Sequence, residues 1–413
     1  MNSLVACVCM FLGVGLFSSC ISFKMRGNRH DSRSRTRTAT LRRLRSHDGS
    51  SVDYASVRAT ERRHAIDALK GGNWIKLICG ASNQDVSLIR NTCFVFTLAG
   101  VNCFDVSCDP AVVLAAHEGM DSAMKRLSKQ DSQAKRPILM VSVNDDEDLH
   151  FRKATFDPAE CPPDCPRPCE TICPAYAIPP LQPAGVSTSA DSSGSAPDNT
   201  DSTTFSDTVS AADGVINERC YGCGRCEPVC PLGLIRTEPY LSDRATISAL
   251  FAPLDDYTSN SNSRPIHTAL DNEKDCGKGG CDWGLVDAIE IHTHGHDSQQ
   301  QSFRSLWTEV GAHVLESACV VAVSFPDMGE RTAAHLNGLD RIIRGESDLG
   351  QESDRGIGQG YRAFTERGGV QIWQTDGRPM SGDIGKGTAH RSSEFAAKVQ
   401  RQLGVGGGES IGV

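Results

Sequence analysis

Past residue 22 the sequence lacks three features that would each point to a function class. No later run is long and apolar enough to cross a bilayer, which takes about 20 consecutive apolar residues, so no membrane span is expected in the mature protein. No G-x-G-x-x-G follows an expected strand, which removes the usual fingerprint of a nicotinamide or flavin site. Positive charge is also in deficit, with 42 Lys and Arg against 51 Asp and Glu and a formal net charge of −9. That balance argues against a dedicated nucleic-acid binder.

The charge is unevenly placed. Residues 24–47 carry nine basic groups and one acid, Asp31, and without residues 1–47 the net charge would be −17. Ahead of the basic stretch, residues 4–22 read LVACVCMFLGVGLFSSCIS. An apolar core ending in small residues has the character of a secretory signal, and the Arg-, Ser- and Thr-rich stretch after it that of a transit peptide. Joined at Ser22-Phe23, the two resemble the bipartite leader that carries proteins into algal secondary plastids, which places the mature protein in the chloroplast stroma. An N-terminal anchor with a basic flank is the other reading of residues 1–47.

Cysteine is what the sequence has in quantity, 18 in all. Eight lie in two runs that each end in Cys-Pro. The second run, Cys220, Cys223, Cys226 and Cys230, has the C-x2-C-x2-C-x3-C-P spacing that ligates a [4Fe–4S] cube. Gly222 and Gly224 allow the tight loop that turns three sulfurs to one centre. The first run, Cys161, Cys165, Cys169 and Cys173, is spaced more loosely, with three residues in each gap. In two-cluster ferredoxins the fourth cysteine of each run serves the other cluster. The expected wiring is therefore crossed: Cys161, Cys165 and Cys169 with Cys230, and Cys220, Cys223 and Cys226 with Cys173. Zinc and disulfides are the competing readings. Zinc sites pair two short hooks at a distance, and disulfides need an oxidising compartment.

Around these runs the chain alternates between strand and helix. A helix is expected over 62–70, a strand over 74–81 and a helix over 84–99. A strand over 101–107 leads to a helix that starts at Pro110 behind the cap Asp109. The third strand, 137–143, ends in the polar loop 144–148. The rhythm resumes with a strand at 285–292, a helix at 299–315, a strand at 319–325, a helix at 332–344 and a strand at 370–374. This pattern predicts a parallel sheet. The fold class is α/β: a (β/α) barrel-like or open parallel βα domain, with an inserted bacterial-type 2[4Fe–4S] ferredoxin-like domain. The boundaries are 1–47 for the leader, 60–150 for the first half of the βα domain, 151–240 for the insertion and 284–404 for the second half. Within the insertion, 182–213 is disordered by composition. Six βα units are two short of an eight-stranded barrel, so either the chain stops short or the barrel is open.

Other candidates carry weaker signals. Cys79, Cys93, Cys103 and Cys108 are expected as buried structural thiols. Cys276 and Cys281 are a dithiol, an extra metal site or an incidental pair, and His294 and His296 a metal pair or a solvated loop. The loop 375–385 follows a strand at the end where α/β folds hold ligands, and Asp376, Arg378, Ser381 and Asp383 make it a possible ligand loop.

Six stretches carry a resemblance to a known family: GNWIKLICGAS (72–82), DPAVVLAAHE (109–118), HFRKATFDPAECPPDCPRPCETICPA (150–175), GVINERCYGCGRCEPVCPLGLI (214–235), VDAIEIHT (286–293) and IWQTDGRPMSGDIG (372–385). They resemble the light-dependent period (LdpA-like) iron–sulfur family of cyanobacteria and plastid-bearing organisms. The resemblance implies two [4Fe–4S] clusters on the eight cysteines, redox sensing linked to light-dependent clock input, a functional loop at 375–385, and further chain beyond residue 404. The leader, the 182–213 insert and the Cys276–Cys281 loop depart from the family pattern.

Two functions are carried forward. The first is a stromal redox sensor or electron carrier, served by a ferredoxin-like donor protein or the quinone pool. The second is an oxidoreductase that binds a small anionic substrate near Lys76, Asp105, Asn144, His292, Asp376 and Arg378. Purely structural clusters are a third possibility.

Overall fold

The computed structural model describes residues 3–6, 54–129, 134–180, 214–252, 285–293, 300–346, 352–375 and 388–403. Six strands follow one another in both sequence and space: β2 (Lys76–Ile78), β3 (Cys103–Ser107), β4 (Ile138–Asn144), β7 (Ala288–His292), β8 (Val320–Phe325) and β9 (Val370–Thr375). Every pairing between them is parallel. A short strand near the start of the sequence, β1 (Ser3–Ala6), adds to the β9 edge. Among the described residues the sheet curls without closing, which makes the domain a parallel half-barrel.

Helices join the strands: α1 (Tyr54–Lys70), α2 (Val86–Leu98), α3 (Pro110–Leu127), α6 (Gln301–Ser317), α7 (Thr332–Ile343), α8 (Glu352–Glu366) and α9 (Thr388–Gln402). Strand residues alternate between two cores, as a period of two requires. Phe104 and Val106, Leu139 and Val141, Ile289 and Ile291, and Val321 and Val323 face the helices with Trp307, Phe303 and Leu336. Their neighbours Cys103, Ile138, Met140, Ala288, Val320, Ala322 and Ile372 line the concave face, where Ala65, Ile66 and Leu69 of α1 plug one end. Arg58 Nη2 and Arg62 Nε lock α1 in place, 3.0 and 2.8 Å from Asp287 Oδ1. Asp287 Oδ2 in turn accepts from Leu139 N at 3.0 Å. α2 and α3 cross closely at Gly119, where a Cβ would lie 2.3 Å from the Arg90 carbonyl.

Asp109 caps α3 through bonds from Ala111 N and Val112 N, with Pro110 at the first helical position, as its sequence predicts. Cys93 and Cys103 are buried, whereas Cys79 and Cys108 are half-buried beside the core. A small lobe lies between β4 and β7, which nevertheless pair directly with each other. It contains β5 (Arg152–Thr155) antiparallel to β6 (Arg236–Pro239), α4 (Pro168–Ile172) and α5 (Arg244–Phe251). α5 returns to the helix-side core through Ile247, Leu250 and Phe251. No helix among the described residues is long and apolar enough to cross a membrane.

Candidate functional site

The lobe gathers all eight cysteines of the two runs. β5 is its floor. Arg152 Nε donates to the Gly222 carbonyl at 2.8 Å, and a Cβ at position 222 would lie 2.3 Å from the Arg152 carbonyl. Gly222 and Gly224 have φ of 73° and 72°, the left-handed region that the tight loop requires. Cys220 and Cys226 are buried. Ala154 N donates to Cys220 Sγ at 3.3 Å, and Ala177 N donates to Cys173 Sγ at 3.3 Å.

The thiols influence one another across the two runs. Burial pushes the Cys226 thiol up to about 12, and the neighbouring sulfurs of Cys223, Cys220 and Cys173 add to the push. Cys223 is raised by burial and also feels Cys173. Cys169 is raised by burial and feels Cys230 and Cys165. Cys230 goes the other way: burial opposes, but the backbone N–H groups of Ile235, Leu232, Leu234 and Gly233 win and hold its thiol below the ordinary range. Among the described residues no cysteine is in a disulfide. Crowded thiols with N–H groups aimed at sulfur suit thiolates bound to a cluster, since hydrogen bonds to sulfur are the protein's means of tuning one.

The lobe sits on the carboxyl ends of the strands. Lys153 Nζ reaches the carbonyls of Ser82 at 2.6 Å, Asn217 at 2.7 Å and Cys220 at 2.6 Å, stapling the second cysteine run to the turn after β2. Tyr240 Oη donates to Ser82 Oγ at 2.8 Å. Asn144 joins from the end of β4, donating to the Tyr240 carbonyl at 2.9 Å and accepting from Ser242 N at 2.9 Å.

Beneath the lobe, the concave face carries a buried ionic network. Lys76 Nζ donates to Asp105 Oδ2 at 2.8 Å, to Gln374 Oε1 at 2.7 Å and to Glu290 Oε2. Ser142 Oγ donates to Asp105 Oδ1 at 2.6 Å, and Gln374 Nε2 to Glu290 Oε1 at 2.7 Å. Lys76, Asp105 and Glu290 are each 1% exposed, so water cannot solvate the charges. Burial opposes the Lys76 charge, but Asp105 and Glu290 outweigh it and keep the ammonium protonated. Burial pushes Asp105 up to about 7; Lys76 opposes the rise and Glu290 adds to it. Glu290 stays well below the carboxylate range because Lys76 and His292 overcome its burial. Removing three charges from water costs several kcal/mol per ion before pairing offsets it. Charged groups with shifted pKa values gathered in this way are characteristic of functional sites.

Lys76, Asp105 and His292 thus come together at one end, with Asn144 at the rim. Asp376, Arg378, Ser381 and Asp383 lie outside the described residues, as do the 182–213 insert, Cys276, Cys281, His294 and His296. Sequence reasoning missed Glu290, Gln374 and Ser142. The available signal was a carboxylate and an amide at inward positions of strands that are otherwise apolar.

Together these features define the class: an iron–sulfur protein whose cysteine lobe caps the strand ends of a parallel α/β half-barrel. Two family models match the chain, the light dependent period A C-terminal domain over residues 283–408 and the LdpA Fe–S cluster-binding domain over residues 161–241. Light dependent period A of Synechococcus elongatus is 37% identical over 332 residues, covering 80% of this chain and 68% of the relative. The chain belongs to the light dependent period A family. No solved structure matches it.

Proposed function

We propose that the chain is a plastid redox sensor or single-electron relay carrying two [4Fe–4S] clusters. The observation that carries this reading is that both cysteine runs meet in one small core, with Cys169, Cys220 and Cys226 buried in it and Cys161, Cys173 and Cys230 packed against them. Mixing of the two runs suits the wiring of two-cluster ferredoxins, in which one fourth cysteine is exchanged in each direction. When bound, each cluster supplies a one-electron couple. The protein's own part is to bury Cys220 and Cys226, to aim backbone N–H groups at sulfur, and to couple the second run to the half-barrel through Lys153. A change in cluster charge would then be felt at the turn after β2. The relative's name ties it to a light-dependent period. Photosynthetic electron flow, through a ferredoxin-like donor or the quinone pool, is the light-dependent input this chain would read in the chloroplast stroma.

Anaerobic reconstitution followed by iron and sulfide analysis and an EPR-monitored titration tests the reading. Two clusters require about eight iron and eight sulfide per chain, with reversible reduction. Tightly held zinc without a brown chromophore would overturn it. Amino-terminal sequencing of the protein purified from plastids tests the leader. Processing near residue 47 would also remove Ser3–Ala6 from the β9 edge.

A further inference from the structure

Beside the cysteine lobe, three side chains from two separate segments converge at the strand ends. Asp148 and His150 lie in the loop after β4, and His292 is the last residue of β7. One ligand atom from each falls within 4.8 Å of the others. We propose that Asp148, His150 and His292 form a binding site for a single divalent transition-metal ion, separate from the cysteine clusters.

Four observations support the site. The donor set, two imidazoles and one carboxylate, is one that zinc and ferrous iron take in three-ligand sites with open positions. The segments are fixed on the scaffold: His292 pairs in register with Asn144 and Ser324, and Asp145 N donates to its carbonyl at 3.2 Å. His150 is tied to its own loop, because Asp148 Oδ1 accepts from His150 N at 2.7 Å and lies 2.6 Å from its Nδ1.

The third observation is the support behind His292. Its Nε2 lies 3.2 Å from Glu290 Oε1, so that nitrogen faces a carboxylate and Nδ1 is the one that would ligate, losing any proton it holds when the ion binds. Metal-binding histidines are almost always held this way, through the nitrogen that does not ligate. Glu290 is itself fixed by Lys76 and Gln374. Phe151 packs edge-on against the His292 ring at 5.2 Å between centroids, and His150 lies at 5.0 Å. Fourth, the setting favours a cation over an anion, because Asp145, Asp146, Glu147 and Asp148 are consecutive in the loop. The Asp148 and His150 side chains keep 16% and 17% exposure and that of His292 10%, enough for an ion and its remaining waters to reach them.

The site lies one residue from the lobe's floor, since Phe151 precedes the Arg152 that holds Gly222. A bound ion there would stand between the second cysteine run and the Lys76 network, with ligand positions open to a small donor molecule.

Full-length, cluster-loaded protein equilibrated with zinc under anaerobic conditions tests the proposal by elemental analysis of zinc, iron and sulfide. About one zinc per chain is expected, with iron and sulfide unchanged. Separate H150Q and H292Q substitutions should each abolish zinc retention without lowering iron. E290Q should weaken zinc about 10–100-fold, as loss of a supporting carboxylate does, while leaving stoichiometry at saturation intact. Iron exceeding sulfide by about one per chain as isolated, and lost in H292Q, would identify ferrous iron as the resident ion. Zinc that fails to bind, or that binds both histidine variants as it binds the parent, overturns the site. Zinc taken up only as iron is lost shows displacement at the cysteines and overturns it equally.

Discussion

All six residues of Val320–Phe325 in the half-barrel are buried, whereas none of the four in Arg236–Pro239 of the lobe is. The half-barrel has an apolar core on each face of its sheet. The lobe's core is Ala154, Phe156, Ala177, Ile178, Val215 and Ile235 together with three cysteines, Cys169, Cys220 and Cys226. Stability in the first comes from burial of apolar area, at about 25 cal/mol per Å². In the second, the cysteines are part of what little core exists. A lobe of this kind draws its folding free energy from what the thiolates hold, on the order of 10 kcal/mol in small metal-held domains.

The widest test of that contrast is to remove the iron. Oxidative chelation, or the paired substitution C220A with C226A, should leave 151–180 and 214–240 open to limited proteolysis. The half-barrel's far-UV circular dichroism and melting transition should stay close to those of the parent. Both parts melting together would show that the lobe is integral to the half-barrel core, and the comparison would fail.

A smaller effect, on the opposite side of the comparison, is expected at Asp287. This carboxylate is 0% exposed and serves two arginines of α1 and the Leu139 amide. Burial alone would raise its pKa, but Arg58 and Arg62 hold it below the ordinary carboxylate range. D287N takes the carboxylate from the buried Arg62 and leaves the half-buried Arg58 with Glu61 alone, at a cost of about 3 kcal/mol. Urea unfolding followed by tryptophan fluorescence measures it. Iron content of the folded protein should not move. A drop in iron would mean that the α1 clamp reaches the lobe.

The same division explains what was legible in the sequence. The six parallel strands could be read because each is a short apolar run ended by polar or small residues, and Cys-Pro spacing marked the lobe. Helix α8 escaped notice because Gly356, Gly358 and Gly360 look like a loop, although Ile357, Tyr361 and Phe364 keep helical spacing and pack on the core. Residues 244–251 went unread as α5 because only a single apolar turn, Ile247 to Phe251, marks them. Lys76 and Asp105 were nameable as charges inside apolar strands. That Glu290 and Gln374 meet them depends on the curl of the sheet, which brings β2, β3, β7 and β9 to one point and which no local pattern encodes.

The finest test uses pH within the half-barrel. His117 on α3 donates from Nε2 to the Leu285 carbonyl at 2.7 Å, and its Nδ1 accepts from Arg136 Nη2 at 2.8 Å. Protonation would turn Nδ1 into a donor facing a guanidinium. Burial, with Arg136 and Arg58 adding to it, pushes the ring down to about 4. The unfolded chain binds this proton near pH 6.5, so between about 6.5 and 4 the unfolded state holds more protons. Stability from this group is therefore full above pH 6.5 and erodes as pH falls towards 4. Allowing for screening at a partly exposed site, the loss is about 1–2 kcal/mol. H117Q keeps a donor for Leu285 and an acceptor for Arg136 but cannot titrate. Urea midpoints of the half-barrel transition at pH 7 and pH 4.5, in parent and H117Q, isolate the term. The parent should lose more stability than the variant by that amount, and equal losses would assign the acid sensitivity to the lobe instead.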